Sequence, residues 1–326
     1  MTGPERAVIA FAGENHGHWI DRMERLALSL HGSRPSDDDT VTTALVVDGL
    51  DEPHRSTLDL LGCDVRAVDP VHAEHRYMNK LRILEVPEIG QADGVLALDC
   101  DLVVAGDPLP EIDRDVICAQ LTSGSSLPDQ LWSQIHEALG LPEPSRTYRD
   151  VTSGRRGYPY FNSGVLWIPR AHALPVRSEW MRAGLELADL VDDIDGLATN
   201  IGYLDQIAFS IAMLRLDQRP RQLPLALNLP TGGFRWGSRP DVERPMILHY
   251  HANVDGDGFL RVPNHPVLRA EIDSFNRAWA AHRGVAYRRP RRQTLKKRLI
   301  RESLTTRRLL RFASRVRLAS TAGRSR

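Results

Sequence analysis

The sequence predicts an α/β protein with a mostly parallel central sheet flanked by helices. Strand-length apolar runs alternate with helical periodicities along the first 120 residues, the pattern of strand–helix–strand units. The apolar run Gly94–Leu98 ends abruptly in Asp99-Cys100-Asp101. Open sheets of this class bind ligands at such carboxyl ends of strands.

Taken in order, Ala7–Ala12 is a first strand, and Trp19–Leu30 carries apolar residues at helical spacing. Gly32 to Thr40 is a polar loop, and Val41–Val47 a second strand. Glu52–Leu61 is a second helix, ended by Gly62 as a C-terminal cap. Val65–Val68 is a short strand, Tyr77–Val86 a helix stopped by Pro87, and Gly94–Leu98 the next strand. Residues 121–160 are irregular and rich in Ser, Pro, Gly and Arg, with a helix at Leu131–Leu139. Tyr160–Ile168 is strand-like but broken by Ser163-Gly164. Arg177–Leu190 and Leu204–Leu216 read as amphipathic helices, and Met246–Tyr250 as a last strand.

Composition excludes several classes. Hydrophobic residues at 42% and charged residues at 26% are ordinary globular values, which excludes a wholly disordered chain. No apolar run approaches the ~18 residues of a membrane span. The apolar stretch Ala7–Gly13 reads as a strand rather than a signal peptide. Cys63, Cys100 and Cys118 are scattered, so a reduced, cytoplasmic compartment is expected. The zero net charge hides an asymmetry: residues 283–326 hold 16 basic residues and one acidic residue, Glu302, leaving 26 basic and 41 acidic in 1–282. The expected division is a catalytic domain over 1–282 and a basic tail, partly helical or disordered, over 283–326.

Two carboxylates at i and i+2, where an apolar strand turns into a loop, can converge on one hard divalent cation. The plain alternative is that Asp99 and Asp101 only solvate a strand end. The apolar strand before them and LVVAGDPL after them favour the metal. Lys80 stands out as the single lysine before Lys296 in an arginine-dominated chain, a hint that a compact ammonium is wanted there.

The block MNKLRILEVPEIGQADGVLALDCDLVVAGDPLPEI resembles the centre of the GT-A glycosyltransferases, in particular family 8, the glycogenin and galactosyltransferase group. AVIAFAGEN resembles its nucleotide-binding first strand, YFNSGVLWIPR its Phe-Asn-Ala/Ser-Gly-Val strand, LDQIAFSIAM its Asp-Gln helix start and ILHYHA its His-Tyr strand end. The resemblance spans about residues 6–260. It implies a GT-A fold and transfer of a hexose from a nucleotide sugar, a UDP-sugar in the first instance, with retention of anomeric configuration. Mn²⁺ or Mg²⁺ would be held by Asp99, Asp101 and His249, with His251 as a rival to His249. Lys80, Cys100, Asn162, Ser163 and Gly164 would line the donor site, and Glu14 and Asn15, beside His16, the base-recognition loop. Asp205 would bond sugar hydroxyls and Gln206 lie against the anomeric carbon. An amide is a poor nucleophile, so front-face transfer is expected rather than double displacement.

The sequence departs from the family in HYHANVDGDGF, which lacks the usual Lys-Pro-Trp. One phosphate contact must come from elsewhere, with Arg235 or Arg239 as first choices, and the nucleotide need not be UDP. Beyond the RRPRR hinge, Leu295, Leu299, Leu309, Phe312 and Val316 alternate with Lys and Arg. Residues 288–318 are therefore expected to adhere to anionic lipid at the inner membrane face, with nucleic acid a lesser alternative. The acceptor is expected to be a carbohydrate or a lipid-linked molecule. The remaining alternatives are an inactive GT-A scaffold and an Asp-x-Asp phosphatase. The phosphatase motif normally continues Gly-Thr or Gly-Val, whereas Leu102-Val103 follows here.

Overall fold

The computed structural model describes residues 6–33, 40–122, 127–142, 145, 148–149, 156–232, 242–263 and 265–287. The chain divides into two compact units, Met1–Arg283 and Gly284–Arg326. All elements below belong to the first; residues 288–326 of the basic tail, with Arg235 and Arg239, lie outside the described residues.

The strands are β1 (Ala7–Glu14), β2 (Thr40–Val47), β3 (Cys63–Val68), β4 (Gly94–Leu98), β5 (Leu102–Val104) and β6 (Cys118–Leu121), followed by β7 (Tyr148–Arg149), β8 (Arg156–Gly157), β9 (Phe161–Pro169), β10 (Arg221–Gln222), β11 (Leu229–Pro230) and β12 (Ile247–His249). The helices are α1 (His18–Ser33), α2 (Glu52–Leu60), α3 (Asp129–Ala138), α4 (Arg170–Asp189), α5 (Leu204–Arg215) and α6 (Pro266–His282). Seven strands form the main sheet in the order β10-β6-β9-β4-β1-β2-β3. All neighbours are parallel except β9, which runs against both β4 and β6. A small second sheet, β11-β12-β5, carries the chain end of the site, and β7 pairs β8.

Both faces of the main sheet are covered, which is why its strands read as continuous apolar runs rather than alternating ones. In β1, Val8 and Ala10 face the core shared with α4 and α5, while Ala7, Ile9 and Phe11 face α1. In β4, Val95 and Ala97 divide from Leu96 and Leu98 in the same way. Helix α2 opens on Asp51, whose carboxylate accepts the His54 amide, and it closes before Gly62, whose φ of 78° suits the cap expected there.

The helix expected over Tyr77–Val86 is present as a 3-10 helix, Arg76–Leu84, and two other expectations need correction. It lacks a side-chain cap, and it buries Met78, Leu81, Ile83 and Leu84 while also burying Asn79 and Lys80. Ser163-Gly164 does not break its strand: β9 is continuous, and the irregularity falls on the partner strand, between Ala119 and Gln120. Helix α4 begins at Arg170 and carries Pro175 in its second turn, where the sequence places no helix. Among the described residues no helix is long and apolar enough to cross a membrane.

Candidate active site

The carboxyl ends of β1, β4 and β12 and the start of antiparallel β9 meet around a cleft of about 390 Å³. Antiparallel β9 matters because it brings the amino end of Phe161–Pro169 beside the carboxyl end of Gly94–Leu98. The Asp99 amide donates to the Gly164 carbonyl at 2.8 Å, extending the ladder by one step. The Tyr250 amide donates to the Asp101 carbonyl at 3.0 Å, tying the β12 end to the same turn.

Lys80 is the cation at the floor. Its Nζ lies 2.5 Å from Asp99 Oδ1 and 3.4 Å from Asp205 Oδ2, and it donates to Ser163 Oγ at 2.8 Å. Ser163 in turn donates to Asp205 Oδ2 at 2.5 Å. Burial opposes the ammonium, but Asp99 and Asp205 outweigh it and hold the Lys80 pKa above its ordinary value. Two carboxylates, the half-buried Asp99 and the buried Asp205, share this one ammonium. Burial, helped by Asp99, raises the Asp205 carboxyl despite Lys80. Asp205 sits in the first turn of α5, where the helix dipole favours its charge. The Trp180 indole of α4 donates to its carbonyl at 2.8 Å and fixes the turn.

Asp101 forms a second cluster. Its Oδ1 is 3.1 Å from His249 Nε2, and its Oδ2 is 3.9 Å from His251 Nδ1. Burial works against the Asp101 charge, but His249, Arg22 and His251 hold its carboxyl well below the ordinary carboxylate range. Asp101, His249 and His251 offer ligand atoms within 4.8 Å of one another, a set of one carboxylate and two imidazoles suited to Mn²⁺ or a related divalent ion. Burial and His249 push His251 down to about 4, so its imidazole is neutral at pH 7 and keeps a lone pair for a cation. His251 has φ of 49°, so a left-handed turn after β12, not strand alternation, folds its ring back over His249. Asp99, expected among the ligands, faces Lys80 with Oδ1, and its Oδ2 lies near Gly164.

A chain of amides orients His249. The Gly164 N–H donates to Asn162 Oδ1 at 2.9 Å, which settles which end of that amide is oxygen. Asn228 Nδ2 donates to the same oxygen at 2.8 Å, leaving Asn228 Oδ1 to accept from His249 Nδ1–H at 2.9 Å. His249 Nε2 is thereby turned toward Asp101 Oδ1, 3.1 Å away, the orientation in which a histidine held through its other nitrogen presents Nε2 to a metal. Asn228 is absent from the sequence reading: it lies in LALNLP, between no other polar residues, and only the fold brings it to His249. Asn162 Nδ2 donates to Gln206 Oε1 at 3.4 Å, so Gln206 is tied to the same network.

The remaining expected residues divide. Glu14 is buried at the end of β1, accepting from Asn79 at 3.1 Å and Arg76 at 3.3 Å, with the His16 ring 2.8 Å away. Asn15 is exposed and does not line the cleft. Cys100 is buried, its thiol pushed up by burial and donating to the Ala12 carbonyl at 2.8 Å, a packed residue rather than a reactive one.

Gly164 has no room for a side chain. A Cβ there would lie 2.7 Å from both Asn162 Oδ1 and His249 Cε1, and 3.0 Å from Asp99 Oδ2. Gly164→Ala is therefore expected to displace His249 and weaken Mn²⁺ binding by roughly tenfold or more. The overpacking itself should cost about 1–3 kcal/mol of stability. Titrating Mn²⁺ by paramagnetic resonance, alongside urea unfolding, checks both; unchanged Mn²⁺ affinity would contradict the geometry.

Residues 26–217 match the Rhodobacterales glycosyltransferase domain, which covers Lys80, Asp99, Asp101, Asn162, Asp205 and Gln206. The chain belongs to that glycosyltransferase family. No curated protein matches it in sequence. Among solved structures, the galactosyltransferase LgtC in complex with donor and acceptor sugar analogs is similar at 14% identity and a TM-score of 0.51, over 86% of this chain and 97% of LgtC. That likeness shows a shared GT-A-type fold. The apo glycosyltransferase GlyE of Streptococcus pneumoniae TIGR4 is 21% identical with a TM-score of 0.48, over 87% of this chain; the chain spans 64% of the length of GlyE. Mouse xyloside xylosyltransferase 1 is 17% identical with a TM-score of 0.48, over 76% of this chain and 98% of its own. The glycosyltransferase domain thus contains the lysine–aspartate floor, while Glu14 and the two histidines lie outside the matched residues.

Proposed function

We propose that this glycosyltransferase moves a hexose from a nucleotide sugar to a carbohydrate or lipid-linked acceptor, with retention of anomeric configuration, as a family 8 enzyme does. The observation that carries the reading is the single cleft wall on which Asp101, His249 and His251 stand beside the Lys80–Asp99–Asp205 cluster. Asp101 and His249, with His251 or Asp99 completing the set, would hold Mn²⁺ or Mg²⁺. When bound, the ion neutralises the leaving diphosphate as a Lewis acid.

The chain's own residues do the rest. Asp205 accepts hydroxyl protons of the donor sugar and holds its ring against Asn162 and Gln206. Gln206 is an uncharged amide, so it supports charge at the anomeric carbon without forming a bond to it. The acceptor hydroxyl then attacks from the face the diphosphate leaves, and the departing phosphate oxygen takes its proton. Orientation of the sugar by this rigid hydrogen-bonded wall supplies much of the rate. Residues 1–282 would form this catalytic domain, and 283–326 a tail whose 16 basic residues attach it to anionic lipid. Sedimentation with anionic vesicles, lost on removing 288–326, tests the tail.

Melting the protein against nucleoside diphosphates and nucleotide sugars, each with and without Mn²⁺, tests the site. A ligand that binds the native state alone raises the melting temperature by mass action. One nucleotide should give a shift that requires Mn²⁺, and that nucleotide names the base. No shift with any of them would replace the enzyme with an inactive scaffold.

A further inference from the structure

Among the described residues, the proposed site leaves the donor diphosphate short of a cation. No lysine follows His249 before the tail. Lys80 enters the cleft already committed to Asp99 at 2.5 Å and Asp205 at 3.4 Å. Arg76 donates to Glu14 at 3.3 Å. The cleft wall is otherwise acidic, carrying Glu14, Asp99, Asp101 and Asp205. A bound divalent ion offsets part of that charge, but a diphosphate adds more negative charge to it.

Arg22 is differently placed. It lies on α1, three residues past Trp19, and lines the same cleft as Asp101 and His251. Among the described residues its side chain makes no hydrogen bond or ion pair. Its guanidinium lies over the Trp19 ring at 5.2 Å from the centroid, a stacking that holds the group without using its N–H donors. It also lines the adjoining cavity of about 470 Å³ beneath the loop Ala252–Gly258, so it stands where the two spaces join. That loop is the segment that lacks the family's Lys-Pro-Trp. A buried or half-buried cation beside a carboxylate cluster ordinarily pairs with it; this one is held by an aromatic face instead and keeps its fork of donors free.

We propose that Arg22 binds the donor diphosphate, supplying from α1 the cationic contact missing from the segment after His249. The inference rests on the donor-site reading above. Two phosphate oxygens would meet the guanidinium fork in the cleft that Asp101 and His251 also line. Arginine suits this better than lysine because its planar donors match two oxygens at once.

Inorganic pyrophosphate is the probe, titrated calorimetrically into the full chain with saturating Mn²⁺ and compared with Mn²⁺ alone. Arg22→Gln is expected to weaken pyrophosphate binding about 10–100-fold, the worth of hydrogen bonds to a charged group, with Mn²⁺ affinity changed less than about twofold. Arg22→Lys should recover part of the loss. Circular dichroism melting confirms that each variant is folded. Equal pyrophosphate affinity in wild type and Arg22→Gln overturns the role of Arg22 and leaves the donor site standing. A parallel loss of Mn²⁺ affinity overturns it too, since Arg22 would then act on the metal ligands. A wild-type protein that takes up neither Mn²⁺ nor pyrophosphate overturns the donor-site reading itself, and Arg22 with it.

Discussion

Alanine at position 101 is expected to abolish metal-dependent transfer and leave the protein folded. Among the described residues Asp101 is the one carboxylate that meets both histidines, with Oδ1 3.1 Å from His249 Nε2 and Oδ2 3.9 Å from His251 Nδ1. In the proposed site, alanine takes away the anionic ligand that makes a pair of imidazoles selective for a hard cation. Metal charge stabilisation is worth several kcal/mol, and each 1.36 kcal/mol is a factor of ten, so turnover should fall by roughly 10³-fold or more. The fold should survive, because the turn after β4 is held through backbone bonds that alanine keeps, Asp99 N–H to Gly164 and Tyr250 N–H to Asp101. The variant should be less stable than wild type near neutral pH, and the deficit should close in acid. The folded Asp101 pKa lies below its unfolded value near 3.9, so its contribution is present above that value and lost as pH falls below it. Asn228→Leu, in the same series, keeps every proposed ligand but removes the amide that orients the His249 ring. It should cost about 10–100-fold in Mn²⁺ affinity, less than the ligand itself. Donor hydrolysis with and without Mn²⁺ reads the first effect. Full metal-dependent activity in Asp101→Ala would remove Asp101 from the site.

Much of this site is legible in the chain because apolar strands point to it. Gly94–Leu98 is buried on both faces, so it stands out as an unbroken apolar run with its acidic end exposed by contrast. The same holds for Phe161–Pro169 and Ile247–His249, whose flanking Asn162 and His249 are polar residues at the ends of apolar runs. What the sequence reading lacks follows from long-range geometry. Asn228 joins Asn162 and His249, residues 66 and 21 positions away, through contacts that no local pattern encodes. Strand Cys118–Leu121 is only four residues long, and its place between β9 and β10 depends on an antiparallel crossover. Helix Pro266–His282 is different: Leu268, Ile272, Phe275 and Trp279 carry a helical spacing, so its signal is local and present in the sequence. The 3-10 geometry of Arg76–Leu84 is tertiary in origin, since Asn79 and Lys80 are drawn inward to Glu14 and Asp99 while Met78 and Leu81 fill the core.

Replacing Lys80 by methionine is expected to be the most destabilising change in the cleft, and its cost should grow with pH. Methionine fills a similar volume, so the packing around Met78 and Leu81 survives and the change isolates the charge. Asp205 is 6% exposed and would keep only the Ser163 hydroxyl at 2.5 Å. Breaking a buried ion pair from one side costs about 3–5 kcal/mol. Asp205 can escape part of that by protonating, which sets the pH dependence. Its folded pKa is already raised, so the native state holds the proton longer than the unfolded chain, and stability is lost as pH rises through that folded value. In the wild type Lys80 offsets this: its own folded pKa is raised, so its contribution is complete below the unfolded value near 10.4 and lost only in strong alkali. Urea unfolding at pH 4.5 and pH 8 should therefore show a small deficit for Lys80→Met at the lower pH and a large one at the higher. Adding Asp205→Asn should return much of the stability, because the double variant leaves only the half-buried Asp99, which solvent reaches, without its partner, and the two sites are in contact. It should not return activity, since the amide cannot accept a sugar hydroxyl with a full negative charge. A deficit that does not change with pH, or losses that simply add in the double variant, would mean that Lys80 holds the cleft together by packing and that the lysine–aspartate pair is not its electrostatic centre.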